Sequence, residues 1–196
     1  MLKSQELFSR GVPHGWAGMT DRQSAVLIRE LADGGFRSGE RLADLLGVSR
    51  AAVWKRIRTI GRETGLSIHA VRGKGYRLAE PLELLDRAQI LGALAPKVAG
   101  VLSELHIHQQ VDSTNRWLMR EAAAGAASGS ACLAEQQTAG RGRRGRTWAS
   151  PFGANIYLSL LWRFNLGPAQ LSGLSLAAGL TVLRALQSQG VQGPGL

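Results

Sequence analysis

Apolar residues recur at helical spacing in three short segments near the start of the chain. The segments are preceded by Thr20, Ser38 and Ser49, whose side chains can accept hydrogen bonds from the free N–H groups at the start of a helix. Gly47 allows a tight turn between the second segment and the third. We therefore predict three helices, whose apolar faces consist of Leu27, Ile28 and Leu31, of Leu42, Leu45 and Leu46, and of Val53, Ile57 and Ile60.

The segment after these helices has the pattern of a β-hairpin. Apolar and polar side chains alternate over residues 66–70, and Gly73 and Gly75 allow a tight turn. Three helices followed by a hairpin are typical of a winged helix-turn-helix domain, which we place at residues 20–80. Residues 1–19 are predicted to be a disordered N-terminal extension.

Cations are concentrated on the third helix and at the hairpin. Arg50, Lys55 and Arg58 fall on the helix face opposite the apolar one, and Lys74 lies at the hairpin tip. Two helices with a solvated charged face, packed as a simple αα-hairpin, account for the helical pattern equally well. The basic β-hairpin that follows favours DNA binding, and we predict these four residues as the DNA contacts. Trp54 lies beside the same face, where it either packs in the core or contacts DNA.

The second half of the chain alternates between strand and helix patterns. We predict a short helix at residues 86–95 and strands at 102–111, 130–136 and 155–164, followed by a long helix from Pro168. We expect burial of the apolar stripe of this last helix, which is formed by Leu171, Leu174, Ala178, Val182 and Leu186.

Two histidines share one face of the first of these strands. His106 and His108 alternate with the apolar positions, and His-x-His spacing can ligate a metal ion. No third ligand is evident nearby in the sequence, so exposed strand histidines are the preferred interpretation. No metal site is predicted.

A Gly- and Arg-rich segment, residues 140–148 and called the Gly/Arg loop, separates two of the predicted strands. Gly140, Gly142 and Gly145 match the letters of a dinucleotide-binding fingerprint, but a strand follows them instead of the required helix. The segment also lacks the Lys-Ser/Thr pair of a Walker loop, and it occurs once, unlike repetitive RNA-binding Arg/Gly tracts. We predict a flexible loop that closes on a phosphate-bearing ligand, with arginines that neutralise charge and Trp148 covering a flat ring.

The overall composition narrows the class of protein. The 196 residues have a formal net charge of +10, which indicates a polyanionic partner, and 44% are hydrophobic, as in globular proteins. Cys132 is the single cysteine, so no internal disulfide can form. Neither a secretory leader nor an uninterrupted apolar run of membrane-spanning length is evident, and we expect a cytoplasmic protein without a membrane partner.

Two motifs resemble those of biotin protein ligases. They are Gly140-Arg-Gly-Arg-Arg-Gly-Arg146, followed by Trp148, Ser150-Pro151 and Gly153, and the preceding Asp112-Ser-Thr-Asn115. The winged helix-turn-helix in front is similar to that of the bifunctional form of the family, which also represses the biotin operon. The resemblance implies an α+β protein whose residues 83–196 form an incomplete α/β catalytic domain of the class II synthetase type.

The resemblance also implies an activity and its ligands. Biotin and ATP, with Mg²⁺, would form biotinoyl-5′-AMP, which a lysine of the biotin carboxyl carrier protein of acetyl-CoA carboxylase would attack. The adenylate-bound form would be a homodimer that binds biotin operon DNA. By motif, biotin and the adenylate would be bound by Ser113, Thr114, Asn115, Gln137, Arg141, Gly142, Arg143 and Trp148, and the catalytic cations would be Arg141, Arg143 and Arg146.

One further family segment is expected after the last helix. In biotin protein ligases a Lys-Trp-Pro-Asn-Asp segment follows it, and its lysine is central to adenylation, whereas these 196 residues end before such a segment. A second hypothesis is therefore a DNA-binding repressor without ligase chemistry. A third is a relative of lipoate ligases with the same catalytic fold, which the Gly/Arg loop disfavours.

Overall fold

The computed structural model describes residues 22–142, 144 and 146–191, Pro168 by its backbone only, and it shows an α+β protein. In chain order the elements are α1 (Arg22–Leu31), α2 (Gly39–Leu46), α3 (Arg50–Thr64), β1 (Ile68–Val71), β2 (Gly75–Leu78), α4 (Arg87–Ala93), α5 (Pro96–Ala99), β3 (Glu104–Val111), α6 (Thr114–Ala123), β4 (Ser130–Gln137), β5 (Tyr157–Leu161), a 3-10 helix (Pro168–Leu171) and α7 (Leu174–Ser188). The predicted extension at residues 1–19 and the Thr20 cap lie outside the described residues.

The first three helices form as their caps and apolar faces predict. Ser38 Oγ and Ser49 Oγ accept hydrogen bonds of 3.1 and 3.2 Å from backbone N–H groups in the first turns of α2 and α3. Gly47 ends α2 in the left-handed region, at φ 65°. The predicted apolar side chains pack into one core together with Ala43 and with Leu78 of β2, except Leu45, which is only partly buried and lies outside this core. The predicted helix-turn-helix is confirmed.

β1 and β2 form the predicted hairpin behind these helices. The strands are antiparallel, with Ile68 opposite Leu78. Tyr76 also pairs with the connection between α1 and α2, because its backbone N–H and C=O exchange 2.8 Å hydrogen bonds with those of Arg37. Gly75, at φ 100°, permits this close approach, since a Cβ there would overlap the Arg37 carbonyl oxygen. The hairpin is therefore held on the helices through backbone pairing as well as through its buried side.

Replacement of Gly75 by alanine tests this contact. Gly75→Ala is expected to lower the free energy of unfolding by roughly 2–4 kcal/mol, because it adds backbone strain and an overlap with Arg37. Gly73→Ala is the matched control, since Gly73 also has a positive φ of 80° but no atom within 4 Å of the added Cβ. Urea denaturation measures both losses, and equal losses would contradict the role of the Arg37 contact.

A three-stranded sheet forms the centre of the second half. β3 and β4 are parallel, β4 and β5 are antiparallel, and the order is β3–β4–β5. α6 connects the parallel pair and packs against β4 and β5. The ends of β3 and β4 and the start of β5 therefore lie at one edge of the sheet, where the Asp112–Asn115 turn and the Gly/Arg loop both leave it. β5 has five residues and is shorter than the predicted strand at 155–164.

The helix-turn-helix and the sheet share packing. The described residues up to Trp162 form one compact unit, and a second unit begins at Arg163. Within the first unit, Phe152 follows the Gly/Arg loop but is 3% exposed and packs in the core of α1–α3. Glu135 of β4 accepts a 2.6 Å hydrogen bond from the Leu85 N–H, in the connection that follows β2. The segments that carry the two sets of motifs are thus joined by buried contacts.

The predicted apolar stripe of the last helix is not buried. α7, all of whose residues are described, contains no buried side chain, and Leu174, Val182 and Leu186 are 45%, 59% and 39% exposed. Spacing identifies side chains that share a face, but burial also requires an element that covers the face.

The segment that contains α7 also bears on the prediction that the chain has no run of membrane-spanning length. By length and composition alone, Ala169–Ser188, with a mean hydropathy of 1.3, would suffice to span a bilayer. A search for uninterrupted apolar runs does not find this segment, because serine, glycine, threonine and one arginine interrupt it.

Candidate functional site

The sheet edge at which β3 and β4 end carries a cavity of about 540 Å³. The start of α6, the end of β4, the Gly/Arg loop and β5 form its walls. Six residues that the sequence analysis assigned to ligand binding surround this cavity, namely Ser113, Thr114, Asn115, Gln137, Arg141 and Trp148. Two motifs that are distant in sequence therefore meet at one site.

A hydrogen-bond network fixes the polar part of the cavity. Gln137 Oε1 accepts from the Thr114 N–H at 2.9 Å and from the Thr114 hydroxyl at 3.2 Å. Thr114 Oγ1 also lies 2.8 Å from Ser159 Oγ, and the Gln137 N–H donates to Ser150 Oγ at 2.9 Å. Because these side chains hold one another across α6, β4 and β5, the site is largely preformed.

The Gly/Arg loop brings an arginine and an aromatic ring to the cavity. Arg141 and Trp148 are exposed and line it. The Trp148 ring lies against Gly140, where a Cβ would overlap it, so this glycine is needed for the position of the ring. A flat ring and a guanidinium group beside an open cavity are suited to a ligand that has both a planar ring and an anionic group.

The structure and the motif reasoning differ at several positions. Gly142 and Arg146 are joined by a 3.2 Å backbone hydrogen bond within the loop but are not among the cavity-lining residues, and Arg143 lies outside the described residues. Lining residues that the sequence analysis missed are Arg116, Met119, Ala139, Ile156, Tyr157, Leu158 and Ser159. Arg116 and Met119 lie at helical spacing from Ser113, so the sequence could have indicated them. The residues of β5 reach the cavity because β5 pairs with β4, and that pairing has no local signal in the sequence.

Asp112 anchors the turn that leads into α6. Its Oδ1 accepts a 2.8 Å hydrogen bond from the Ser113 N–H, and Arg120 holds both carboxylate oxygens at 2.9 and 3.2 Å. These bonds, chiefly that of Arg120, lower the pKa of Asp112 to about 2. Asp112 is therefore a fixed anion at neutral pH, and it orients the ligand-facing side of the turn.

The exposed face of α3 carries the predicted DNA contacts. Arg50, Lys55 and Arg58 are all exposed, and the Arg58 guanidinium carbon lies 5.0 Å from the centre of the Trp54 ring. Trp54 itself is 46% exposed, which excludes the core-packing alternative. Lys74 is exposed in the turn between β1 and β2. A basic surface with one aromatic ring thus extends along α3.

His108 is buried, contrary to the expectation of exposed strand histidines. It is 3% exposed, and the Trp117 ring of α6 lies against it with the two ring centres 4.8 Å apart. His106 is only partly exposed and bonds to Glu104 at 2.8 Å. Burial, and secondarily the charge of His106, lower the pKa of His108 to about 4. Alternation along a strand does not reveal which side chains pack against it.

The low pKa of His108 makes stability depend on pH. The folded protein keeps this ring neutral down to about pH 4, whereas the unfolded chain protonates it near pH 6.5. Unfolding takes up a proton between these values, so this contribution lowers the free energy of unfolding by about 3 kcal/mol as the pH falls. Denaturation measured between pH 7 and pH 4 should show a smaller decrease in the free energy of unfolding for His108→Gln than for the wild type. His106→Gln should show the same decrease as the wild type. Equal losses in wild type and His108→Gln would contradict the assignment.

Comparison with known protein families identifies both halves of the chain. Residues 22–77 match the HTH domain family, and residues 107–194 match the biotin/lipoate A/B protein ligase family. The first match covers the helices and the hairpin, and the second covers the cavity, the Gly/Arg loop and α7.

Curated relatives combine the same two parts. The chain is 49% identical to the "Bifunctional ligase/repressor BirA" of Escherichia coli over 164 residues, which are 84% of this chain and 49% of that protein. It is 34% identical to the protein of the same name from Bacillus subtilis over 174 residues, 88% of this chain and 53% of that protein. The "Biotin--[acetyl-CoA-carboxylase] ligase" of Mycobacterium tuberculosis is 44% identical over 110 residues, 55% of this chain and 40% of that protein. The chain thus spans about half the length of the curated relatives it matches. On these matches, the chain is similar over 84% of its own length to proteins named bifunctional ligase/repressor, with an HTH domain followed by a biotin/lipoate ligase domain.

Proposed function

We propose that the protein is an ATP-dependent biotin ligase and a repressor of the biotin operon. Biotin would react with ATP to give biotinoyl-5′-AMP and pyrophosphate, and a lysine of the biotin carboxyl carrier protein of acetyl-CoA carboxylase would then displace AMP. The observation that carries the proposal is the single cavity that gathers Thr114, Gln137, Arg141 and Trp148. The names of the relatives support both activities.

The polar part of the cavity is suited to biotin. The ureido ring of biotin presents one carbonyl oxygen and two N–H groups, which need hydrogen-bond partners once water is displaced. Residues 113–115 and Gln137 supply hydroxyl and amide groups that can donate and accept. Met119 and Tyr157 offer apolar surface for the sulfur-containing ring and the aliphatic chain.

The Gly/Arg loop supplies the positive charge that adenylation requires. Attack of the biotin carboxylate on the α-phosphate of ATP places additional negative charge on phosphate oxygens, which cations in a water-poor site stabilise. We assign this role to Arg141, which lines the cavity, and by motif to Arg143 and Arg146. Trp148 would stack on the adenine ring and exclude water from the mixed anhydride.

We propose that Mg²⁺ enters with ATP rather than on protein ligands. Within the described part of the chain, no group of three His, Cys, Asp or Glu side chains could hold a metal ion. Mg²⁺ is readily bound by substrate phosphates and water with few protein carboxylates. When bound, it would neutralise charge on the departing pyrophosphate, and the residue roles above do not depend on it.

The repressor activity is proposed for α3 and the hairpin. In winged helix-turn-helix proteins the second helix of the motif enters the major groove. Arg50, Lys55 and Arg58 would contact DNA from α3, and Lys74 would contact the backbone from the hairpin. The target would be biotin operon DNA, bound by an adenylate-loaded homodimer in the cytoplasm.

Biotin-dependent exchange of labelled pyrophosphate into ATP tests the ligase activity. The proposal expects exchange with biotin and none with lipoate, which separates the two branches of the ligase family. A gel shift on biotin operon DNA is measured in parallel. DNA binding without exchange would reduce the function to that of a repressor, and the absence of both would contradict the proposal.

A further inference from the structure

The cavity contains a second cation that none of the motifs above includes. Arg116, in the first turn of α6, lines the same cavity as Arg141, and its side chain is 41% exposed. Among the described residues that line this cavity, none is Asp or Glu. The two guanidinium groups therefore create a positive potential that the cavity wall does not balance.

Arg116 is only loosely paired. Its Nη1 lies 3.4 Å from Asp112 Oδ2. That carboxylate already accepts two hydrogen bonds from Arg120, at 2.9 and 3.2 Å, and one from the Ser113 N–H at 2.8 Å. Asp112 therefore keeps three hydrogen bonds when Arg116 leaves it, and a solvent-exposed pair at this distance contributes little stability. The change of partner costs the turn almost nothing.

We propose that Arg116 turns from Asp112 toward the cavity and, together with Arg141, binds the anionic group of the ligand, a carboxylate or a phosphate. This inference deepens the proposed ligase function and rests on it. A planar guanidinium group donates two parallel hydrogen bonds to either anion. Biotin carries the carboxylate, whereas ATP and pyrophosphate carry the phosphate.

Calorimetric titration of four proteins with three ligands tests the proposal. The ligands are biotin, its uncharged methyl ester, and pyrophosphate. Arg116→Gln is expected to weaken the binding of at least one anion by roughly 10- to 100-fold and to leave the affinity for the methyl ester unchanged. Arg116→Lys should recover part of the loss, because it keeps the charge but not the planar fork. Arg62→Gln removes a cation of 77% exposure from α3 and should bind all three ligands as the wild type does.

The pattern of losses separates the outcomes. A loss for biotin assigns Arg116 to the carboxylate, and a loss for pyrophosphate alone assigns it to a phosphate. Unchanged affinity for both anions, or an equal loss for the methyl ester, overturns the role of Arg116 and leaves the ligase function standing. A wild-type protein that binds none of the three ligands overturns both.

Discussion

Phe152→Ala is expected to lower the free energy of unfolding by about 3–5 kcal/mol, as truncation of a buried aromatic side chain usually does. Phe152 is 3% exposed and lies in the same core as Leu27 and Leu42 of the helix-turn-helix, although it follows the Gly/Arg loop in the chain. The truncation leaves a cavity between the helix-turn-helix and the part of the chain that contains the sheet. Along the backbone, residues 79–86 link these two segments. Both segments should therefore lose stability together.

Urea denaturation measures this loss in each segment. Two backgrounds, in which either Trp54 or Trp117 is the one tryptophan kept and the other four are replaced by phenylalanine, report on α3 and α6 separately. Phe152→Ala is expected to shift both transitions equally. Phe36→Ala is the control, since Phe36 is 36% exposed and its removal should cost less than the loss of the buried Phe152 ring. A shift confined to the transition of α6 would contradict a shared core.

Removal of three cations from α3 is expected to weaken DNA binding at least about 100-fold, because each lost contact to a base or phosphate contributes on the order of 1–3 kcal/mol. The variant carries Arg50→Gln, Lys55→Gln and Arg58→Gln, all at exposed positions on one surface of α3. Loss of three phosphate contacts would also reduce the slope of log affinity against log salt by about 3. These effects should leave stability nearly unchanged, since no buried contact is removed.

Fluorescence anisotropy with labelled operator DNA over a range of salt concentrations measures both quantities. The matched control replaces Arg87, Lys97 and Arg184 by glutamine, which removes the same charge at exposed positions outside the helix-turn-helix. The control should lose little affinity. Equal losses in the two triple variants would show that net charge, rather than the surface of α3, is responsible.

The helix-turn-helix could be predicted from sequence because its signals are local. Ser38 and Ser49 cap helices whose apolar faces repeat at three- and four-residue spacing, and Gly47 sits where a left-handed residue is needed. The candidate site was predicted from the resemblance to biotin protein ligases, because a turn such as Asp112–Asn115 carries only a weak local signal by itself. Parallel pairing of β3 and β4 then brings Thr114 and Gln137 together.

The remaining features depend on contacts between distant segments. Tyr157 and Ser159 reach the cavity only through the pairing of β5 with β4, and Phe152 reaches the helix-turn-helix core only through tertiary packing. His108 was assigned to an exposed face because alternation shows which side chains share a face, but not that the Trp117 ring lies against this one. Arg116 falls one residue beyond the Asp112–Asn115 motif, and its place in the cavity follows from the direction of α6.

Calorimetric titration of the wild-type chain with biotin measures whether the cavity beside Thr114 and Gln137 binds biotin. The account predicts saturable binding at a single site, with a negative heat-capacity change as apolar surface around Met119 and Tyr157 is buried. A folded chain that releases or takes up no heat with biotin at any temperature between about 10 and 35 °C would contradict the account, because a nonzero heat-capacity change cannot keep the binding enthalpy at zero throughout that range.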